Sequence, residues 1–188
     1  KNKKFELNKY QIFKFNDLKH EGSFLAFRLE GDQKSIEERK KNLAKELELN
    51  KLKTSTLDVY QSVLFWQKVN NLELFKNTKN NILRAVVPLS NNEKLMKYLK
   101  NKYKYYIDWS GSLFWIEVAD KDEMKIKEIK KFILEIDGYL TVIKRSENFS
   151  FHESLFTINE NRLFISKKIK ESFDPKRIFN PGKMYREI

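Results

Sequence analysis

Apolar and polar residues alternate with a period of two along Phe24–Glu30: Leu25, Phe27 and Leu29 fall on one side, Arg28 and Glu30 on the other. That alternation predicts a strand, which Gly31-Asp32 ends. The period then lengthens, predicting a helix to about Leu49, with Ser35 and Glu38 spaced as a capping box and Ile36, Leu43 and Leu47 on its buried side. Ser55 or Thr56 caps the next helix, whose apolar stripe is Val59, Val63 and Trp66. Ahead of all this, residues 1–19 are rich in Lys and Asn, with Phe13 and Phe15 alternating around Lys14 as in a short edge strand or a linker.

From residue 82 the pattern sharpens. Ile82–Val87 predicts a strand, and Ser90 with Glu93 a capped helix through about Lys102. Tyr105–Trp109 and Leu113–Val118 predict two strands joined at Ser110-Gly111-Ser112, a hairpin connection. Asp120 with Glu123 opens a helix whose Ile126, Ile129, Ile133 and Ile136 recur at helical spacing; Gly138 ends it and Tyr139–Lys144 closes the series as a strand. Residues 82–144 thus spell β-α-β-β-α-β, the ferredoxin-like arrangement. A last helix, Asn159–Ser172, is expected to bury Ile165, Ile169 and Phe173. The fold class is therefore α+β: a ferredoxin-like antiparallel sheet with helices packed on one face, plus an extra N-terminal strand and helices.

Composition narrows the chemistry. A chain of 188 residues with 15 Phe, 8 Tyr and 3 Trp has material for a core that buries roughly 70% of the unfolded surface. With no cysteine, disulfides, thiolate metal sites and a cysteine nucleophile are excluded. No apolar run has the length of a membrane-spanning helix, and nothing reads as a signal peptide. The chain begins at Lys1, which reads as a fragment lacking an N-terminal portion. A net charge of +12 would suit nucleic acid or an anionic membrane, but the lysines are spread along the chain among Glu, Asp, Asn and Ile, as an AT-rich coding bias would leave them.

The C-terminal stretch carries the most specific signal. Phe173-Asp174-Pro175 stops a helix, because Pro175 cannot continue one and biases Asp174 out of helical geometry. Asn180-Pro181-Gly182-Lys183 repeats the punctuation as a tight turn, with Ile178 and Phe179 held between the two stops. This ending resembles that of the FAD-linked oxidases of the vanillyl-alcohol oxidase type, and is most similar to the FAD-binding subunit of bacterial glycolate oxidase, matched here over Asn180–Glu187. Phe27–Gly31, Leu83–Pro88 and Ile107–Trp115 fit the same family in the same order. The resemblance implies that residues 1–172 form the cap, or substrate, domain, with its ferredoxin-like core at about 82–144. It implies that 173–188 is a tail returning to an FAD-binding domain absent from this chain. The implied reaction is oxidation of a small 2-hydroxy acid such as glycolate by hydride transfer to FAD. The implied partners are a second flavin subunit and an iron–sulfur subunit, in the cytoplasm and at most peripheral to the membrane, with no nucleic acid.

Arg84 lies in an otherwise apolar strand, where its guanidinium either clamps a carboxylate through two parallel hydrogen bonds or pairs with a surface acid at a strand edge. The resemblance favours the first, since related 2-hydroxy-acid dehydrogenases bind the substrate carboxylate with an arginine in a similar Arg-x-x-x-Pro context, here Arg84 to Pro88. It also places Asn180, Pro181, Gly182 and Lys183 against the flavin; an Asn amide offers donors and an acceptor to a flavin edge, and a lysine offers positive charge. The alternative is a turn that ties the C-terminus down. His20 and His152 stand far apart with no metal-ligand companion, and His152 reads as a surface or helix-flanking residue. Catalytic relatives carry a Gly-His pair where this chain has Gly138-Tyr139, so no catalytic residue and no metal site is expected here. Trp109 and Trp115 read as core. A ferredoxin-like RNA-binding module and a non-catalytic structural subunit are the competing readings. The stretch Ser110–Ile116 falls where an RNA-recognition domain carries an aromatic motif, but its residue spacing departs from that motif.

Overall fold

In the computed structural model, which describes residues 24–52, 54–147, 149, 155–183 and 185, the stretch 82–144 folds as its pattern predicts. Strands β1 (Asn81–Val86), β2 (Lys104–Asp108), β3 (Leu113–Val118) and β4 (Tyr139–Lys144) form one sheet in the order β2-β3-β1-β4, every neighbour antiparallel. Helix α3 (Asn92–Leu99) connects β1 to β2 and helix α4 (Glu123–Glu135) connects β3 to β4. This is the ferredoxin-like arrangement, and the fold is α+β. Contacts gather the chain into two compact units, Lys1–Lys76 and Asn77–Ile188.

The sheet's period of two sorts its side chains. Leu83, Ala85, Phe114, Ile116, Leu140 and Val142 turn inward against α3 and α4. Ile126, Ile129 and Ile133 of α4 are each 0% exposed, and burying each such side chain stabilises the fold by roughly 1.5–3 kcal/mol. Tyr98 of α3 stacks on Phe132 of α4 at 4.2 Å between ring centroids, joining the two helices over the sheet. Burial pushes the Tyr103 phenol up to about 12, as expected of a core tyrosine.

Several element ends differ from the sequence expectation. The first residues of the predicted Ser90–Lys102 helix belong to a 3-10 turn at Leu89–Asn91; α3 starts at Asn92 without a side-chain cap and stops at Leu99. Helix α4 ends at Asp137 and Gly138 in a Schellman arrangement: Gly138 N–H donates to Ile133 O at 2.8 Å and Asp137 N–H to Leu134 O at 3.2 Å. The left-handed residue is Asp137, at φ 58°, and Gly138 is needed for space instead. A Cβ on Gly138 would lie 2.8 Å from Val86 O and from Val87 Cγ1.

Helix α5 (Glu160–Phe173) starts at Asn159, whose side chain accepts from Arg162 N–H, and stops at the Asp-Pro pair. Its expected buried stripe is not buried. Ile165, Ile169 and Phe173 are exposed, Phe173 by 85%, because no described element of this unit covers them.

The first unit holds helices α1 (Gln33–Leu49) and α2 (Val59–Asn70). The cap of α1 is Asp32, which accepts from Ser35 N–H at 3.0 Å, so the Ser35–Glu38 box is not formed. Ile36, Leu43 and Leu47 do form its least exposed stripe, though no residue of α1 is fully buried. Asp58 and Gln61 make the capping box of α2, in place of Ser55 or Thr56. The buried residues of α2 are Phe65 and Val69, while Val59 and Val63 are exposed and Trp66 is half-buried. A helix apolar on several sides leaves the choice of buried face to tertiary packing. Phe24–Glu30 is not a strand: Glu30 O accepts from the Arg39 guanidinium at 2.6 Å rather than from a ladder N–H, and Phe24 packs on Phe65 at 6.1 Å. The reading of 1–19 as edge strand or linker lies outside the described residues.

Candidate functional site

Because Leu83 and Ala85 enter the core, Arg84 between them projects from the opposite face of the sheet. It stands opposite Trp115 on β3 and Thr141 on β4, on a central strand rather than at an edge. Its guanidinium carbon lies 4.9 Å from the centre of the Trp109 ring. Among the described residues no carboxylate pairs with it, so the surface-acid alternative for Arg84 does not hold there. A cation–π contact attracts the charge without consuming N–H donors, which leaves the in-plane fork for a planar anion.

Trp109 is placed by a strained reversal rather than by a strand. The predicted strand 105–109 stops at Asp108, and the residues Trp109, Ser110 and Gly111 between β2 and β3 all have positive φ. Asp108 accepts from Trp109 N–H at 2.7 Å, and Ser112 N–H and Oγ–H donate to Trp109 O at 3.2 and 2.9 Å. These bonds fix the backbone and lift the indole out to 58% exposure, so Trp109 is not core. Trp115 is half-buried on the same face as Arg84 and stacks with Tyr106 at 6.4 Å. Burial, then the neighbouring Asp108 carboxylate, pushes the Tyr106 phenol up, so it stays protonated at neutral pH. Around Arg84 this sheet face presents the Trp109 and Trp115 rings with Tyr106 beyond them, and the Lys104–Glu117 ion pair further along the strands.

The C-terminal turn forms as its residues predict. Lys183 N–H donates to Asn180 O at 3.2 Å around Pro181 and Gly182, with Gly182 at φ 68°. Asn180, Pro181, Gly182 and Lys183 are all exposed. Neither the Asn180 nor the Lys183 side chain has a partner among the described residues. What fixes this region is Asp174: its two carboxylate oxygens accept from Ile178 N–H and Phe179 N–H, both at 2.9 Å, and Lys170 Nζ lies 2.7 Å away. The Lys170 ammonium and the two amides hold the Asp174 carboxyl down at about 2. Lys170 Nζ also donates to Phe179 O at 2.6 Å, closing the loop onto α5.

No hydrogen bond, ion pair or ring contact among the described residues joins Arg84 to Asn180–Lys183. As a test of flavin binding, the residues present suit contact with one edge of the ring, through the free Asn180 amide and Lys183 ammonium; they include no glycine-rich cradle for the phosphates. Among the described residues no group of His, Asp and Glu is arranged to hold a metal ion, and no helix is long and apolar enough to cross a membrane. His20 and His152 lie outside the described residues. Sequence reasoning missed Arg162, which lies over the Tyr139 ring at 4.9 Å; nothing in its local sequence signals that neighbour. Comparison with protein-family models, with curated proteins and with solved structures finds no match to this chain.

Proposed function

We propose that this chain is the C-terminal cap portion of an FAD-dependent oxidoreductase that oxidises a small 2-hydroxy acid such as glycolate. The observation that carries the reading is Arg84: a half-buried guanidinium on a central strand, with no acid partner among the described residues and the Trp109 ring at 4.9 Å, suited to a substrate carboxylate. Binding there would orient the α-carbon; FAD, held mainly by another domain, would supply the hydride acceptor. Asn180 and Lys183, on the exposed turn, are the residues proposed to meet the flavin edge, with Pro181 and Gly182 shaping that turn. The proposed setting is cytoplasmic, alongside a second flavin subunit and an iron–sulfur subunit.

The test uses the protein encoded by the complete reading frame. Its absorption spectrum should show the two visible bands of an oxidised flavin, and glycolate should bleach them. Arg84→Ala should keep the bands while raising KM for 2-hydroxy acids by roughly tenfold or more, the loss expected for a charged hydrogen-bond pair. Absence of flavin even after FAD is added, or an unchanged KM, would refute it.

One observation favours a second reading. Tyr106 and Trp115 stack on the sheet face away from the helices, where an RNA-recognition sheet stacks bases. Tight binding of a short single-stranded RNA, lost in Trp115→Ala, would select that reading over the first.

A further inference from the structure

We propose that a cavity between β4 and α5 is a binding site for a small aromatic monocarboxylate, with Arg162 as its anion clamp. The cavity exists because the chain after β4 returns along that strand's outer side. Val142 N–H donates to Leu155 O and Thr157 N–H to Leu140 O, both at 2.9 Å, with Thr141 and Phe156 bridged antiparallel. Helix α5 then begins, and its period places Arg162, Ile165 and Ser166 on one side facing the gap. The cleft opens to solvent and has a volume of about 390 Å³, within the range of small-molecule sites.

The lining decides the ligand class. Among the described residues that line it, Arg162 is the one formally charged side chain, a single positive charge that matches a monoanion and leaves a phosphate dianion half-neutralised. The Arg162 guanidinium has no carboxylate partner among the described residues; its recorded contact is the Tyr139 ring at 4.9 Å. Its planar fork matches a carboxylate, and Ser166, one turn along, adds a hydroxyl donor. Phe156 and Tyr185 meet edge-to-face at 6.0 Å and 62°, and with Ile158 they offer an apolar, ring-shaped wall. A cation at one end and aromatic walls at the other fit an aromatic acid better than an aliphatic one. The site stands on Arg162 and is independent of the reading built on Arg84.

The experiment is a chemical-shift titration of the ¹⁵N-labelled full chain with sodium benzoate at fixed ionic strength, with benzyl alcohol as the uncharged probe. Benzoate should give saturable shifts at the amides of Tyr139–Thr141, Phe156–Ile158 and Arg162–Ser166. Benzyl alcohol should bind weaker by roughly tenfold or more, and Arg162→Gln should weaken benzoate by a similar factor. Lys102→Gln, which removes one positive charge far along the chain, should leave benzoate affinity unchanged, and Arg162→Lys should recover part of it. Shifts confined to other residues, equal binding of the two probes, or undiminished benzoate binding in a folded Arg162→Gln would each overturn the proposal. If Arg162→Gln fails to fold, the probe comparison and the Arg162→Lys titration decide the matter on folded protein.

Discussion

Helices α4 and α5 carry isoleucines at the same helical spacing, yet their environments are opposite. Ile126, Ile129 and Ile133 of α4 are wholly buried, whereas Ile165 and Ile169 of α5 are 56% and 55% exposed. The difference is where each helix stands in the chain. Helix α4 leaves β3 and delivers the chain to β4, so both its ends are tied to the sheet it must cross. Helix α5 comes after the four strands are complete, with a short turn and a clamp at its far end rather than a strand. Helical period reports that a stripe exists; the element that follows decides whether the stripe is covered.

The comparison can be broken most directly by truncation. Ile129→Ala should cost about 2–5 kcal/mol in urea unfolding, the range for emptying a well-packed core site. Ile169→Ala should cost less than about 0.5 kcal/mol, as at other exposed positions. Equal losses would show that α5 is covered in solution, and the contrast would collapse. A smaller effect belongs to the close of α4. Gly138→Ala should destabilise by about 1–3 kcal/mol through overpacking against Val86 O and Val87, even though alanine is the better backbone former.

The smallest effect belongs to the end of α5 and is local. Asp174 titrates at about 2, below its ordinary 3.8, so its hold on the tail is fully present above the higher value and is lost as pH falls through the lower. Amide shifts of Ile178 and Phe179 should move over that acid window while those of β1 stay fixed. If β1 titrates in step, the clamp is part of the global fold and α5 is more like α4 than it looks.

The core unit was legible because two signals agreed over 82–144: alternation in the strands and glycine or polar punctuation between them. Arg84 stood out because it breaks an apolar run, but that its strand is central rather than at an edge depends on pairings that the local pattern does not encode. Caps were less legible, since Asp32 and Ser35, or Asp58 and Thr56, are all competent caps and sequence does not rank them. Trp109 was misplaced because three positive-φ residues reverse the chain there, two of them not glycine. Arg162 was invisible because its partner Tyr139 is 23 positions away, reached through the strand-like return of 155–157.

That return has a consequence for solubility. An exposed sheet edge is a template on which other chains add strands. Here Leu140 and Val142 have their backbone groups engaged by Leu155 and Thr157, and the Thr157 hydroxyl accepts from Leu140 N–H at 2.7 Å. The middle of the β4 edge, Leu140–Val142, is thus covered within the molecule. The other edge, β2, is five residues long, begins with Lys104 and ends with Asp108 at a kinked turn. Short length and terminal charges discourage pairing there, so a sheet rich in aromatics offers fibril growth no ready rail.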